Sequence, residues 1–286
     1  MVHVISTINL KGGVGKTTIT VALAEFLSVN HGKKVLVIDL DPQTNATTVL
    51  IGETRWKELN DEGLTLATVF KDALRGDGQR PQLNLERTLQ KGVSAVTAVQ
   101  TVDLLPSSLD LMDVQDLLAS IPPGPFYSNS PTEVLIRAVR PLIENYDYVL
   151  IDCPPNLGIV TLNGLRMSDG YIIPTIPDVL STYGIPQILK RVGDFSRALD
   201  ADIVPLGIAV TKYRQVSVVH TRTVQDLIRR STPEVFRSYI PEANDIAASA
   251  EYAAVSTLRQ KYGANFYDPL KNLTTEFLDR VEKRFT

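Results

Sequence analysis

The 286-residue chain has little cysteine, little histidine and no long apolar run. Its single cysteine, Cys153, cannot close an intramolecular disulfide, and no Cys/His cluster has the spacing of a zinc site, so neither an oxidised scaffold nor a structural zinc module is indicated. No stretch approaches the roughly 18 apolar residues that would span a bilayer. The opening segment MVHVISTINLKGG lacks a basic region followed by a long apolar stretch. A cytoplasmic protein with no membrane partner is therefore expected. A charge excess of one sign is also missing: 29 basic residues stand against 32 acidic ones, a formal net charge of -3. Attraction to nucleic acid by the whole molecule is thereby excluded, and any such binding must come from a local basic surface. Repeats and low-complexity tracts are absent. What remains, 44% hydrophobic and 21% charged residues, suits one globular domain over residues 1–286.

Short apolar, β-branched runs alternate with helical patterns. The runs are HVISTI at 3–8, VLVID at 35–39, YVLID at 148–152, GYIIPTI at 170–176 and PLGIAVT at 205–211. Strands that are apolar almost throughout must be covered on both faces, so the pattern predicts a doubly wound α/β fold with a mainly parallel sheet and helices on both sides. Residues 52–130 are less regular and include the Pro- and Ser-rich SIPPGPFYSNSP at 120–131, which reads as an excursion within the domain.

Directly after the first strand comes KGGVGKTT, Lys11 to Thr18, leading into the helical pattern ITVALAEFL. Strand, glycine loop and helix in that order are what phosphate binding requires. Gly12, Gly13 and Gly15, with Val14 between them, let the backbone turn N–H groups toward the β- and γ-phosphates of ATP. Lys16 adds a point charge between those phosphates, the Thr17 hydroxyl can complete a magnesium sphere, and Thr18 can reach the α-phosphate. An ordinary phosphate loop carries glycine five residues before the Gly-Lys pair. Here that position is Leu10, and Lys11 follows it.

This departure resembles the deviant Walker ATPases of the ParA/Soj/MinD family. The resemblance extends to DLDPQTNAT, to YDYVLIDCPPNLG, to VDLLPSSLDLMDVQ at 102–115 and to YIIPTIPDVLSTYGIPQIL at 171–189, almost the whole chain. It implies that Lys11 reaches across a dimer interface to the partner's nucleotide, and that Asp39 and Asp152 hold magnesium through water. It also implies that Asp41 orients the attacking water, and that CPPNLG senses the γ-phosphate. Two carboxylates near one Mg·ATP must divide the work, since only one can face the nucleophile. By the same likeness Thr211, Lys212 and Pro241 flank the adenine. Cys153, without a histidine motif beside it, reads as a packed small residue.

Between Gln187 and Arg230 eight basic residues face four acidic ones. This is a local positive excess, and VQDLIRR reads as a helix with two arginines at its end. Arg222, Arg229 and Arg230 are the candidate contacts to DNA. The family implies a homodimer formed with ATP, non-specific binding to the nucleoid, and an adaptor of the ParB type that stimulates slow hydrolysis. No helix-turn-helix pattern precedes the phosphate loop, so operator recognition is not expected. The cargo is a plasmid, a chromosome region or a protein body such as a carboxysome. The departures after residue 211, TKYRQVSVVHTRT and no arginine after Pro241, favour a protein body. Two alternatives stay open: a MinD-like, membrane-associated division-site ATPase, and an ATP-dependent metabolic enzyme. For the first, Leu270, Leu273, Phe277, Leu278, Val281 and Phe285 would have to meet lipid, yet Glu276, Asp279 and Glu282 offset the basic residues of that helix.

Overall fold

The structure, a computed structural model, describes residues 1–73, 84–119, 131–230, 232–242 and 252–285. Most of the Pro- and Ser-rich stretch at 120–131, and most of the segment after Pro241, lie outside the described residues. Six strands form one parallel sheet: β1 (His3–Thr7), β2 (Val35–Asp39), β3 (Val102–Leu105), β4 (Tyr148–Asp152), β5 (Gly170–Thr175) and β6 (Val204–Val210). Their order across the sheet is β3-β2-β4-β1-β5-β6. Alternate residues of each strand point to opposite faces, and both faces are apolar. Val35, Val37 and Leu150 enter one core with helices α1 (Lys16–His31), α2 (Asn45–Asp61) and the C-terminal α11 (Leu258–Phe285). Leu36, Ile38 and Ile151 enter the other, with α3 (Leu66–Ala73), α5 (Leu111–Ala119), α6 (Val134–Ile143), α7 (Ile159–Arg166) and α9 (Ile185–Ala198). Three further helices, α4 (Leu85–Thr88), α8 (Val179–Thr182) and α10 (Val218–Arg230), complete the described elements.

The described part of the stretch 52–130 is more regular than its sequence suggests. It contributes β3, which pairs in register with β2 at the sheet edge, Val35 beside Val102 and Ile38 beside Leu105. The strand is only four residues long and carries a charge, which masks it in the sequence. That charge has a local use: Asp103 accepts the Tyr146 hydroxyl at 2.6 Å and the Gly92 N–H at 2.9 Å.

In α11 the apolar face is already occupied. Leu270, Leu273, Phe277, Leu278 and Val281 are buried in the core shared with α1, and Phe285 packs against it. Among the described residues no helix is long and apolar enough to cross a membrane.

Candidate functional site

The C-terminal ends of β1, β2 and β4 bring the chemistry together. In strand register Asp39 lies beside Asp152, and Thr7 lies on the other side of Asp152. The loop leaving β1 therefore arches over two carboxylates. Two positions in that loop require glycine: Gly13 has φ 72° and Gly15 has φ 84°, left-handed values that a side chain resists. A Cβ on Gly12 or Gly13 would meet nothing within 4 Å, so the mouth of the loop is open. Helix α1 starts at Lys16 with no side-chain cap, leaving its first N–H groups for a ligand.

Lys16 is buried, and its Nζ donates to the Lys11 carbonyl at 3.2 Å. Burial pushes its ammonium down, while Asp152 and Asp41 pull the other way. The Thr17 hydroxyl donates to Asp152 Oδ2 at 2.6 Å. Asp152 Oδ1 is buried with no hydrogen-bond partner. Burial and then the neighbouring Asp39 raise the Asp152 carboxyl well above the usual range. Asp39 is pushed up to about 7, by burial first, even though Thr47 donates to Oδ2 through both its N–H (2.8 Å) and its hydroxyl (2.7 Å). Asp41 is raised too, again by burial, against the Gln43 N–H and Lys16. Three buried carboxylates thus face one ammonium.

Such a site is short of positive charge, and an unpartnered carboxylate oxygen next to a hydroxyl is the donor set that a hard cation takes. The residues present fit magnesium. Among the described residues no cluster of three or more His, Cys, Asp or Glu forms a cage for a metal. Magnesium does not need one, because it keeps several waters and is held by one or two carboxylates together with phosphate oxygens.

The other expected residues divide. Lys11 stands at the loop mouth, its N–H fixed by Asn9 Oδ1 at 3.0 Å. Among the described residues its ammonium has only long contacts, 3.5 Å to Ser181 Oγ and 4.0 Å to Asp178 Oδ1. Thr18 follows in the first turn of α1. Thr211 is buried and donates its hydroxyl to the Val14 carbonyl at 2.8 Å, with its methyl carbon 3.3 Å from where a Cβ of Gly15 would stand. It therefore braces the phosphate loop. Lys212, at φ 49°, leads to Tyr213, whose N–H donates to the Ile240 carbonyl at 2.9 Å and which bridges to Pro241. The two segments expected at the base thus adjoin each other, and Thr211 joins the first of them to the loop. Cys153 is buried, and burial raises its thiol.

Arg222, Arg229 and Arg230 are exposed along α10. Arg222 and Arg229 line one surface groove of about 500 Å³. Arg229 pairs with Asp226 at 3.4 Å, and the patch is further muted where Arg197 meets Asp194 and Arg214 meets Glu242. Sequence reasoning missed Thr47 and Ser107, which hold the acids from behind. Their place alone could have hinted at them, Thr47 at the end of DLDPQTNAT and Ser107 within VDLLPSSLDLMDVQ, but neither segment shows which groups the hydroxyls meet.

Known proteins share parts of this sequence and its fold. The sequence model of the AAA domain family matches residues 2–204. The uncharacterized protein Rv1708 of Mycobacterium tuberculosis is 32% identical over 237 residues, 83% of this chain and 66% of that relative, so this chain spans just under two thirds of its length. The sporulation initiation inhibitor protein Soj of Bacillus subtilis is 29% identical over 284 residues, 99% of this chain and 98% of that one. Among solved structures, cobyrinic acid a,c-diamide synthase from Mycobacterium smegmatis, with bound ATP analog and magnesium, superposes with a TM-score of 0.75 at 24% identity, covering 100% of this chain and 97% of that one. That likeness concerns the fold. With the family match over most of its length and the deviant glycine loop in place, the chain belongs to the AAA domain family, among the P-loop ATPases of the ParA/Soj/MinD type.

Proposed function

We infer that the chain binds ATP with magnesium, closes into a dimer around the nucleotide, binds duplex DNA without sequence preference in that form, and positions a large cargo. An adaptor of the ParB type would stimulate hydrolysis and release. The observation that carries this reading is the pairing of Asp39 and Asp152 beneath the glycine loop, with Thr17 on one oxygen of Asp152 and nothing on the other. The synthase of the same fold, solved with an ATP analog and magnesium, supports that pair of ligands.

Each residue then has a task. The backbone of Gly12 to Gly15 and the start of α1 receive the phosphates, and Lys16 exchanges its contact with the Lys11 carbonyl for phosphate oxygen. Thr17, with Asp39 and Asp152 through water, would hold magnesium, which when bound offsets the negative charge gathering on the phosphates. Asp41, made more basic by burial, orients the attacking water. Lys11, loosely held in its own subunit, is free to cross to a partner's nucleotide. The buried face of α11 speaks against a lipid anchor.

DNA contact is assigned to Arg222, Arg229 and Arg230. One subunit offers few charges on an acidic background, and a two-fold dimer doubles the patch. The test is equilibrium binding to random duplex in Mg·ATP over a salt series. Log affinity should fall linearly with log salt, by about 0.9 per phosphate contact, with little dependence on sequence. Replacing the three arginines by alanine should weaken binding and flatten that slope while dimerisation persists. Unchanged affinity in a dimerising triple variant removes α10 from the interface.

A further inference from the structure

Ser107, in the segment VDLLPSSLDLMDVQ, reaches the site from outside the glycine loop and the two strand-end aspartate segments. It follows β3, it is buried, and its hydroxyl donates to the backbone carbonyl of Asp41 at 2.7 Å. Its own N–H donates to Thr47 Oγ1 at 2.9 Å. The Thr47 hydroxyl, so filled as an acceptor, donates onward to Asp39 Oδ2 at 2.7 Å. Asp39 Oδ1 in turn accepts the Asp41 N–H at 3.1 Å. The four residues close a ring of hydrogen bonds, Asp41 to Asp39 to Thr47 to Ser107 and back to Asp41.

Within that ring both polar groups of the Asp41 backbone are fixed, the N–H by the Asp39 carboxylate and the C=O by the Ser107 hydroxyl together with the Thr44 N–H at 2.9 Å. With its backbone held and its Oδ1 accepting the Gln43 N–H at 3.0 Å, the Asp41 side chain has one direction. The anchor is itself rigid. The Ser107 carbonyl accepts the Trp56 indole N–H at 3.2 Å, and the next hydroxyl, Ser108, donates to Asn60 Oδ1 at 2.7 Å, so α2 fastens the loop twice.

We propose that Ser107 is a positioning residue for hydrolysis, setting the aim of Asp41 through its backbone carbonyl while taking no part in holding nucleotide. The inference rests on the assignment of Asp41 to the attacking water. Ser107 makes no hydrogen bond to the glycine loop, to Lys16 or to Asp152, so its loss should act on turnover and spare binding.

Ser107→Ala and Ser108→Ala separate this role from a structural one. Ser107→Ala deletes one hydroxyl bond, Ser108→Ala two, those to Asn60 and from the Asp110 N–H, and only the first takes the side-chain donor from the Asp41 carbonyl, leaving it the Thr44 N–H alone. ATP hydrolysis and ATP affinity are measured for both in saturating magnesium. Ser107→Ala should lower kcat about fivefold, the rate equivalent of one net buried hydrogen bond, with KM changed less than about twofold. Ser108→Ala should hydrolyse at the parental rate, and Ser107→Thr, which keeps the hydroxyl, should recover most of the loss. Should alanine at 107 prevent folding, Thr47→Val opens the ring on its far side and must likewise lower kcat at constant KM. Equal kcat in the two serine variants, or a KM that rises in step with falling kcat, overturns the proposal. A parent chain with no ATP hydrolysis would instead overturn the proposed function, so the two failures are distinguishable.

Discussion

Replacing Glu25 by alanine would test how α1, the helix that begins with Lys16 and Thr17, is held in place. Glu25 sits in the middle of α1 with its side chain fully buried, and its partner Lys261 on α11 is 4% exposed. Oε1 accepts Lys261 Nζ and Ser94 Oγ, both at 2.7 Å, and Oε2 accepts the Tyr262 hydroxyl at 2.7 Å. Alanine leaves an ammonium and a phenol in the core with no acceptor. Breaking a buried ion pair from one side costs about 3–5 kcal/mol. At roughly 2–4 °C per kcal/mol for a chain of this size, Tm should drop by about 6–20 °C. The pair as such is not what stabilises: Glu25→Leu with Lys261→Met and Tyr262→Phe removes all three buried polar groups and should cost less than Glu25→Ala alone. Glu25 lies nine residues beyond Lys16, about 14 Å along the helix, so ATP affinity at 20 °C should survive in whatever remains folded. Thermal and urea unfolding followed by circular dichroism measure both variants. A loss under about 1 kcal/mol for Glu25→Ala, or a triple variant less stable than the single one, would refute the reasoning.

Asp41→Ala should bind Mg·ATP and dimerise as the parent does while losing at least about tenfold in turnover, since its task is the water and not phosphate or metal; phosphate release at the parental rate would reassign it. The buried acids also predict a pH effect in the nucleotide-free protein. Asp39 titrates at about 7 when folded against 3.8 when unfolded, so between those values the folded state holds the extra proton. Its contribution to stability is present below about pH 4 and is lost as pH rises toward 7, by up to about 1.4 kcal/mol per pH unit. Asp39→Asn lacks this titration, so its stability relative to the parent in urea should be more favourable at pH 8 than at pH 5.5. A difference independent of pH would contradict the burial argument.

The phosphate loop, both strand-end acids and five of the strands could be read from the sequence because each is a local pattern: a glycine spacing, an apolar run, an aspartate at its end. β3 could not, being four residues with Asp103 among them, its partners Gly92 and Tyr146 lying far off in the chain. Ser107 and Thr47 escaped for the same reason. Their role depends on β2 and β3 being neighbours, and a hydroxyl that bonds a carbonyl 66 residues away leaves no periodic trace. Thr211 was placed near the site by likeness alone, and the side chain proves to face the Val14 carbonyl. The C-terminal helix shows the opposite case. Its apolar stripe was plain in the sequence, Glu276, Asp279 and Glu282 already favoured packing on the sheet over lipid, and the apolar face is buried in the core.

The central claim is an ATP-dependent dimer in which Lys16 serves its own nucleotide and Lys11 the partner's. Light scattering on a sizing column, with Mg·ATP and with Mg·ADP, measures it most directly when paired with calorimetric titration of nucleotide. The 31.5 kDa chain should run at twice its mass in Mg·ATP and as a monomer in Mg·ADP. Lys16→Ala should bind neither nucleotide, and Lys11→Ala should bind ATP as a monomer that never doubles its mass. A Lys11→Ala variant that dimerises like the parent, or one that loses ATP affinity as fully as Lys16→Ala, would contradict the account.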